Sequence, residues 1–378
     1  MREYLTVFLV AAAVTYLLGV VAREIAIRTG AVAKVRDRDV HAVPIPYFGG
    51  LAMLGGLAAA YLVAKQLPFL SLSNENNEAI FRDARTVLLA GALICTVGVL
   101  DDLFELDAFT KLGGQVLAAG FLVFFGVQYY SFKMPGSGQF TIGEAQAALI
   151  SVLLVVATVN AVNFVDGLDG LAAGVVGIGA VAFFAFSYKL ADVNGETLAI
   201  TAALLCASLG GACVGFLPHN FFPARLFMGD SGSMLIGLVL AGSALTLTGQ
   251  FAAVDISQGA GGSQASLLPT LLPIILPISI LIVPFADLVL AVVRRTRAGR
   301  SPFAPDKEHL HHRLLEIGHS HRRAVLIMWL WAALIAFGGV LESLYAGPLT
   351  TAILVAWVVA TVAATFFLPR LQHHGTSV

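Results

Sequence analysis

Eleven apolar segments of about the length that crosses a bilayer dominate the sequence and constrain the fold more than any other feature. A helical crossing needs about 20 mostly apolar residues, and helices satisfy every backbone group within lipid. A β-barrel would instead show segments of about ten residues with strict alternation, which this sequence lacks. The segments run 5–27, 47–66, 86–100, 112–130, 145–163, 170–188, 197–217, 232–249, 267–293, 324–343 and 347–369.

Composition supports an all-α integral membrane protein with about eleven transmembrane helices in a single polytopic domain, residues 1–378. The chain is 58% hydrophobic and 12% charged, about half the charged fraction of a soluble domain. The first segment is longer than the apolar core of a signal peptide, so it is interpreted as a membrane span. The net charge of −1 argues against a nucleic-acid partner, which needs a basic face. The three cysteines predict neither a disulfide framework nor a zinc site.

Basic residues favour one orientation of these spans. The loops after the first and ninth segments hold most of the 22 lysines and arginines, and such loops are typically cytoplasmic. Alternation then puts the N-terminus outside and the C-terminus in the cytoplasm. The polar segments near 101–111, 160–169 and 217–231 fall on the cytoplasmic face, so we expect the functional site there.

Two adjacent acids, Asp101 and Asp102, directly follow the third apolar segment. Acids at the C-terminus of a helix oppose its macrodipole, and adjacent carboxylates repel each other unless a cation or a proton lies between them. The pair therefore predicts Mg²⁺ binding or general-base chemistry. Acids that only mark the end of a membrane helix are the alternative.

Four polar residues recur at a spacing of three: Asn160, Asn163, Asp166 and Asp169. On a continuous helix this spacing keeps them near one face, and the glycines among them allow a ligand to approach closely. Amides and carboxylates suit recognition of ribose, base and sugar hydroxyls, or outer-shell contacts to a metal. The alternative is a polar turn between two spans.

Asp230 lies between glycine and serine residues just before the eighth apolar segment. A carboxylate and small residues at a helix N-terminus favour a site for Mg²⁺-bound phosphate. An N-cap is compatible with the same residue. Phe227, three residues upstream, either stacks on a nucleotide base or packs in the core.

A histidine-rich segment follows the ninth apolar segment, and its candidate residues are His309, His311, His312 and Arg313. On a helix His309, His312 and Arg313 share a face. No matched partners for a zinc site are close, so these residues favour binding of a diphosphate or protonation of a leaving group. Binding of lipid headgroups is the alternative, and it is our prediction for His319 and His321.

Together these residues resemble the polyprenyl-phosphate N-acetylhexosamine-1-phosphate transferases, glycosyltransferase family 4, over nearly the whole chain. The matching motifs are His41–Gly50, Asp101–Asp102, Asn160–Ala172, Phe227–Ser233 and Pro302–Arg313, in family order and at family spacing. The acidic motif of the family often has an aspartate where this chain has Glu105. We assign no role to Glu105.

The resemblance implies a Mg²⁺-dependent enzyme, with Mn²⁺ as an alternative cofactor, that transfers GlcNAc-1-phosphate from UDP-GlcNAc to undecaprenyl or decaprenyl phosphate and releases UMP. This is the first lipid-linked step of a cell-envelope polysaccharide in a bacterial plasma membrane. The HLHHR sequence is similar to the form in members that use UDP-GlcNAc. Transfer of phospho-MurNAc-pentapeptide stays open as an alternative. So does an ion-coupled transporter, although transporters place ionisable groups near the membrane midplane.

The resemblance also implies roles for individual residues. Asp230 would hold Mg²⁺, and Asp101 or Asp102 would deprotonate or orient the lipid phosphate or add a metal ligand. Asp166 and His309 complete the expected catalytic set. The expected substrate-binding residues are His41, Lys111, Asn160, Asn163, Asp169, Phe227, His311, His312 and Arg313. Direct displacement is preferred over a covalent aspartyl-phosphate, because a phosphate monoester is already a nucleophile. No residue argues for a homodimer, which stays open.

Overall fold

The computed structural model describes residues 1–33, 44–72, 77–129, 131–134, 138–141, 143–194, 197–248, 296 and 319–367. The described chain is helical apart from one hairpin, in which β1 (Ser131–Met134) pairs antiparallel with β2 (Gly138–Thr141). The helices are α1 (Arg2–Thr29), α2 (Gly49–Ala64), α3 (Pro68–Leu72), α4 (Asn77–Phe104), α5 (Ala108–Phe124), α6 (Glu144–Val165), α7 (Leu171–Asn194), α8 (Thr197–Asn220), α9 (Gly229–Thr248), α10 (His321–Tyr345) and α11 (Pro348–Phe367). The prediction of an all-α membrane fold is confirmed.

Most of the predicted spans correspond to described helices. Eight of the described helices are long and apolar enough to cross a membrane. The shorter apolar helices α2 and α5 correspond to the second and fourth predicted spans. The 16 residues of α2 extend about 24 Å, somewhat less than the bilayer core. The ninth predicted span, 267–293, lies outside the described residues.

Several helices begin or end away from the predicted span boundaries, and two of these differences have identifiable physical reasons. The sequence predicts a third span that stops before Asp101, but α4 continues to Phe104. It can do so because both carboxylates accept hydrogen bonds from backbone amides beyond the helix. The fourth predicted span reaches residue 130, but α5 ends at Phe124. The chain then turns through Gly126, whose φ is +87°, towards the hairpin.

Helix α9 lies at the centre of the described bundle and contacts α2, α4, α6 and α8. Glycines allow its neighbours to approach closely. A Cβ on Gly50 of α2 would lie 2.3 Å from the backbone nitrogen of Gly232, and one on Gly98 of α4 would lie 2.4 Å from the backbone of Ser231. Small residues let membrane helices pack backbone against backbone. This packing fixes the position of the N-terminal end of α9, where Asp230 lies.

The outer surface of the bundle is apolar. Helix α1 buries a stripe that includes Ala11, Gly19 and Ala26, whereas Leu9 and Leu17 are exposed. Lipid tails are as apolar as leucine, so such side chains are suited to a bilayer. The buried stripe of small residues is the face through which α1 packs on α2 and α8.

Candidate active site

Four helix ends meet at one end of the bundle and bring together residues that the sequence predicts for the site. The C-terminal end of α4 carries Asp101 and Asp102, and that of α6 carries Asn163. The N-terminal end of α5 carries Lys111, and that of α9 carries Asp230. Asp230 is 67 residues from Asn163 and 119 residues from Lys111 in the sequence, so only the packing of the bundle brings the ends of α6 and α9 to those of α4 and α5.

Lys111 is at the centre of this group. Its ammonium donates a hydrogen bond of 2.9 Å to Asp101 Oδ2 and another to Asp230 Oδ2. The three side chains are between 10% and 27% exposed, so their charges are partly dehydrated but accessible. An ion pair in such surroundings is screened less than one on the surface. Lys111 thereby holds two carboxylates that would otherwise repel each other.

The adjacent carboxylates of Asp101 and Asp102 point to different partners. Asp101 accepts a hydrogen bond of 2.8 Å from the amide of Leu106, in addition to the contact with Lys111. Asp102 accepts hydrogen bonds of 2.8 and 3.3 Å from the amides of Asp230 and Ser231. A carboxylate at the first amides of α9 has a favourable interaction with the helix dipole. The Lys111 ammonium is therefore shared by Asp101 and Asp230, whereas Asp102 stabilises the start of α9.

Gly229 makes the contact between Asp102 and α9 possible. Its φ is +68°, in the left-handed region that residues with a Cβ rarely adopt. A Cβ at this position would lie 2.4 Å from Asp102 Oδ2. A glycine directly before Asp230 is thus required both by the backbone and by the neighbouring carboxylate.

Asn163 and Asn160 lie on the same face of α6 but contact different helices. Asn163 Nδ2 donates to Asp230 Oδ1, and at 2.9 Å to Ser233 Oγ. Asn160 lies one turn further from the helix end and pairs with Gln115 of α5. Beyond this point the alternative of a polar turn between two spans applies, because α6 ends at Val165. Asp166 and Asp169 lie in the loop between α6 and α7.

Asp166 is half-buried directly after α6. Burial, followed by the nearby carboxylates of Asp230, Asp102 and Asp169, raises the pKa of its carboxyl to about 8. The group is therefore largely protonated at neutral pH, when it can donate a hydrogen bond as well as accept one.

Asp169 and Asn220 connect the loop after α6 to the loop after α8. Asp169 Oδ2 accepts a hydrogen bond of 2.8 Å from the amide of Ala224. Asn220 accepts one of 2.9 Å from the amide of Gly170 and donates one of 3.1 Å to the carbonyl of Leu226. Asn220 was not predicted from the sequence. Its position at the end of an apolar helix, just before the loop of residues 221–228, was the available signal.

Phe227 is fixed by its backbone against the turn that precedes α2. Its amide donates to the Pro46 carbonyl at 2.8 Å, and its carbonyl accepts from the Gly49 amide at 3.1 Å. The half-buried ring lies 6.2 Å from that of Tyr47, measured between centroids. The predicted turn into the second span therefore holds the segment that leads to Asp230.

Several predicted site residues lie outside the described residues, namely His41, His309, His311, His312 and Arg313. The prediction of a solvated, headgroup-binding histidine is wrong for His319. His319 is only 4% exposed, and its Nε2 lies 3.0 Å from the Thr365 carbonyl oxygen. His321 is half-buried, and its ring stacks on Phe222 in the loop after α8 with centroids 5.0 Å apart.

The arrangement combines carboxylates, an ammonium and an amide within hydrogen-bonding distance. No group of three His, Cys, Asp or Glu side chains that could hold a metal occurs among the described residues. The carboxylates of Asp101 and Asp230 nevertheless both contact the Lys111 ammonium. Such a site can hold a phosphate against Lys111 and a divalent cation against the carboxylates, provided that the ligand supplies further oxygens.

Comparisons with known proteins agree with this chemistry. The model of glycosyl transferase family 4 matches residues 84–248, which include the described site residues on α4, α5, α6 and α9. The chain is 46% identical over 375 residues to the decaprenyl-phosphate N-acetylglucosaminephosphotransferase of Mycobacterium tuberculosis, covering 98% of this chain and 90% of that protein. It is 45% identical to the Mycobacterium leprae protein of the same name, with 98% and 92% covered. The undecaprenyl-phosphate alpha-N-acetylglucosaminyl 1-phosphate transferase of Pasteurella multocida is 33% identical, with 85% and 82% covered.

Proposed function

This chain belongs to glycosyl transferase family 4, and we propose that it transfers GlcNAc-1-phosphate from UDP-GlcNAc to a membrane polyprenyl phosphate. The observation that carries the proposal is the group formed by Asp101, Lys111, Asn163 and Asp230 inside the range matched by the family. The relatives at 45–46% identity are named for decaprenyl phosphate. This favours decaprenyl phosphate over undecaprenyl phosphate as the acceptor.

The reaction is a direct displacement at the β-phosphorus of UDP-GlcNAc. An oxygen of the lipid phosphate forms a new bond to this phosphorus, and the bond to the oxygen shared with the α-phosphorus breaks. UMP leaves with that oxygen, and the product is polyprenyl-diphosphate-GlcNAc. A phosphate monoester is already a nucleophile, so no covalent enzyme intermediate is needed.

The described carboxylates fit a divalent cation. Asp230 and Asp101 already direct oxygens at one cation, the Lys111 ammonium, and Mg²⁺ typically binds one or two carboxylates together with substrate phosphates. Asp230 would hold Mg²⁺, and Asp101 is the candidate second ligand. When bound, Mg²⁺ would neutralise charge on the diphosphate.

The remaining polar residues would position the substrates. Asp101 is the better candidate than Asp102, either as the second Mg²⁺ ligand or for orienting or deprotonating the lipid phosphate, because Asp101 contacts Lys111, whereas Asp102 accepts hydrogen bonds from two amides of α9. Lys111 would neutralise the charge of the lipid phosphate. Asn163 would orient Asp230, and Asp166 would help to hold the nucleotide sugar.

We assign this end of the bundle to the cytoplasmic face. The loops with most of the basic residues favour this orientation, and the lipid phosphate would then enter from the inner leaflet. The histidine-rich segment that includes His309 and Arg313 stays the candidate for gripping the sugar diphosphate.

The proposal is tested by UMP release from the purified protein in lipid nanodiscs with Mg²⁺ and decaprenyl phosphate. UDP-GlcNAc and UDP-MurNAc-pentapeptide are offered in parallel. We expect release with UDP-GlcNAc alone. Release with only the pentapeptide donor would overturn the proposed donor, and no release from folded protein with either donor would overturn the proposed function. The assignment of the site to the cytoplasmic face is tested by supplying UDP-GlcNAc on a single side of sealed vesicles.

A further inference from the structure

A second polar layer lies beneath the proposed site and takes no part in the chemistry described above. Gln115 of α5 and Asn160 of α6 form a reciprocal amide pair. Gln115 Nε2 lies 3.3 Å from Asn160 Oδ1, and Asn160 Nδ2 lies 2.6 Å from Gln115 Oε1. Asn160 Nδ2 also donates to the carbonyl of Val156 at 2.8 Å. Gln115 is only 1% exposed, and Asn160 is half-buried, so at least the Gln115 amide depends on protein partners for its hydrogen bonds.

This layer is formed by the same three helices as the site, α5, α6 and α9, one helical turn away. In the site, Lys111 of α5 and Asn163 of α6 both contact Asp230 of α9. In the layer beneath, Gln115 contacts both Asn160 and Met234 Sδ of α9, the latter at 3.5 Å. Each residue of the layer is three or four positions from its counterpart in the site, and residues at that spacing lie on the same face of a helix.

The geometry of this pair restricts how α5 and α6 can sit against each other. Both hydrogen bonds form only when the two amide planes face each other, so rotation or sliding of one helix breaks at least one of them. A buried amide that loses its partner costs about 1–3 kcal/mol. Apolar side chains at the same positions would fill the space but would lack this directionality.

We propose that Gln115 and Asn160 are positioning residues that set α5 against α6 and thereby hold Lys111 and Asn163 around Asp230. The assignment rests on the proposed function and gives Asn160 a positioning role through Gln115, where the sequence predicts substrate binding. Phosphoryl transfer is catalysed mainly by positioning and electrostatic stabilisation. A small displacement of Lys111 or Asn163 should therefore lower the rate more than the affinity for substrate.

The test compares Gln115→Met and Asn160→Leu, which keep approximate side-chain size, with the wild type. Each variant is assayed for UMP release from UDP-GlcNAc and for its thermal midpoint in nanodiscs. We expect kcat to fall by about 10- to 100-fold in each variant, since displacements near 1 Å have effects of this size. KM for UDP-GlcNAc should change by less than about twofold, because neither side chain would touch the donor.

The matched control is Ser151→Ala at the other end of α6. Ser151 is fully buried and accepts a hydrogen bond of 2.8 Å from the Tyr129 amide, so its loss weakens a buried polar contact far from the site. We expect this variant to lower the thermal midpoint and to keep wild-type kcat.

Three results would overturn the assignment. Folded Gln115→Met with wild-type kcat would show that the pair does not set the site. Asn160→Leu with raised KM and unchanged kcat would make Asn160 a substrate contact. An equal loss of kcat in Ser151→Ala would show that the loss in the other two variants comes from lower overall stability. Absence of UMP release by the wild type would instead remove the proposed function itself.

Discussion

Helices α9 and α11 each have 20 residues and both are apolar, yet their surroundings are opposite. Nearly all of α9 is enclosed by other helices, whereas almost none of the apolar window of α11 is buried among the described residues. On α9 the close contacts are made by Gly232, Gly237 and Gly242, and on α11 Val355 and Val359 are exposed. Hydropathy identifies both as spans, but the small residues and the polar N-terminus distinguish the helix that carries a site from one that faces outward.

Among substitutions of residues that are not proposed to bind a ligand, replacing Gly229 by alanine should have the largest effect, because it acts where α9 begins. The change combines a left-handed backbone with a Cβ placed 2.4 Å from Asp102 Oδ2. Either α9 or Asp102 must shift, and we expect kcat for UMP release to fall about 100-fold. Gly30→Ala is the control, because Gly30 has φ +75° but nothing within 4 Å of its added Cβ. It should lose about 1 kcal/mol of stability and retain kcat; equal losses of kcat would contradict the role of Gly229.

The raised pKa of Asp166 predicts a pH dependence of stability near the site. The pKa is about 8 in the folded state and near 4 in the unfolded state. Between these values the folded protein binds a proton that the unfolded chain releases, so stability should fall as pH rises from about 4 to 8. Asp166→Asn should remove this contribution. Thermal midpoints between pH 5 and pH 8, without Mg²⁺ or substrate, check it, and equal pH slopes for both proteins would contradict the raised pKa.

A smaller effect is expected from the cap of α5. Asp107 Oδ1 accepts hydrogen bonds of 3.0 and 3.1 Å from the amides of Phe109 and Thr110, one turn before Lys111. Asp107→Ala should lower the free energy of unfolding by about 1 kcal/mol, whereas Asp107→Asn retains a cap and should lose less. Denaturation of the two variants in the same detergent measures this difference. An asparagine variant as unstable as the alanine variant would argue against capping.

The smallest effect is expected on the outward surface of α11. Val359 is 62% exposed, so Val359→Leu should change the free energy of unfolding by less than about 0.5 kcal/mol and leave UMP release unchanged. Thermal midpoints in nanodiscs provide the measurement. A large loss would show that α11 packs against protein at this position, and the contrast with α9 would fail.

The fold was largely predictable because hydropathy acts over whole segments. The spans and the meeting of Asp101, Lys111, Asn163 and Asp230 at one end of the bundle agree with the sequence analysis. The hydrogen-bond partners of the individual residues could not be predicted from the sequence. That Asp102 contacts the amide of Asp230, 128 residues away, follows from three-dimensional packing, which no local pattern encodes.

The second layer was missed for a related reason. Asn160 was grouped with Asn163 by spacing alone, and no role was predicted for Gln115, which lies within the fourth apolar segment. A buried amide in a membrane helix needs a partner, so Gln115 was itself a signal. Its partner could be identified only once α5 was seen packed against α6.

The central claim is that Asp230 holds the cation required for transfer, and one conservative substitution tests it most directly. UMP release from UDP-GlcNAc and decaprenyl phosphate is compared for the wild type, Asp230→Asn and Asp83→Asn across a range of Mg²⁺ concentrations. Asp83 is a matched buried carboxylate, 4% exposed, near the other end of α4. We predict that Asp230→Asn loses turnover by about 1,000-fold or more, while Asp83→Asn stays within about twofold of the wild type. Folded Asp230→Asn with turnover and Mg²⁺ dependence like those of the wild type would contradict the account.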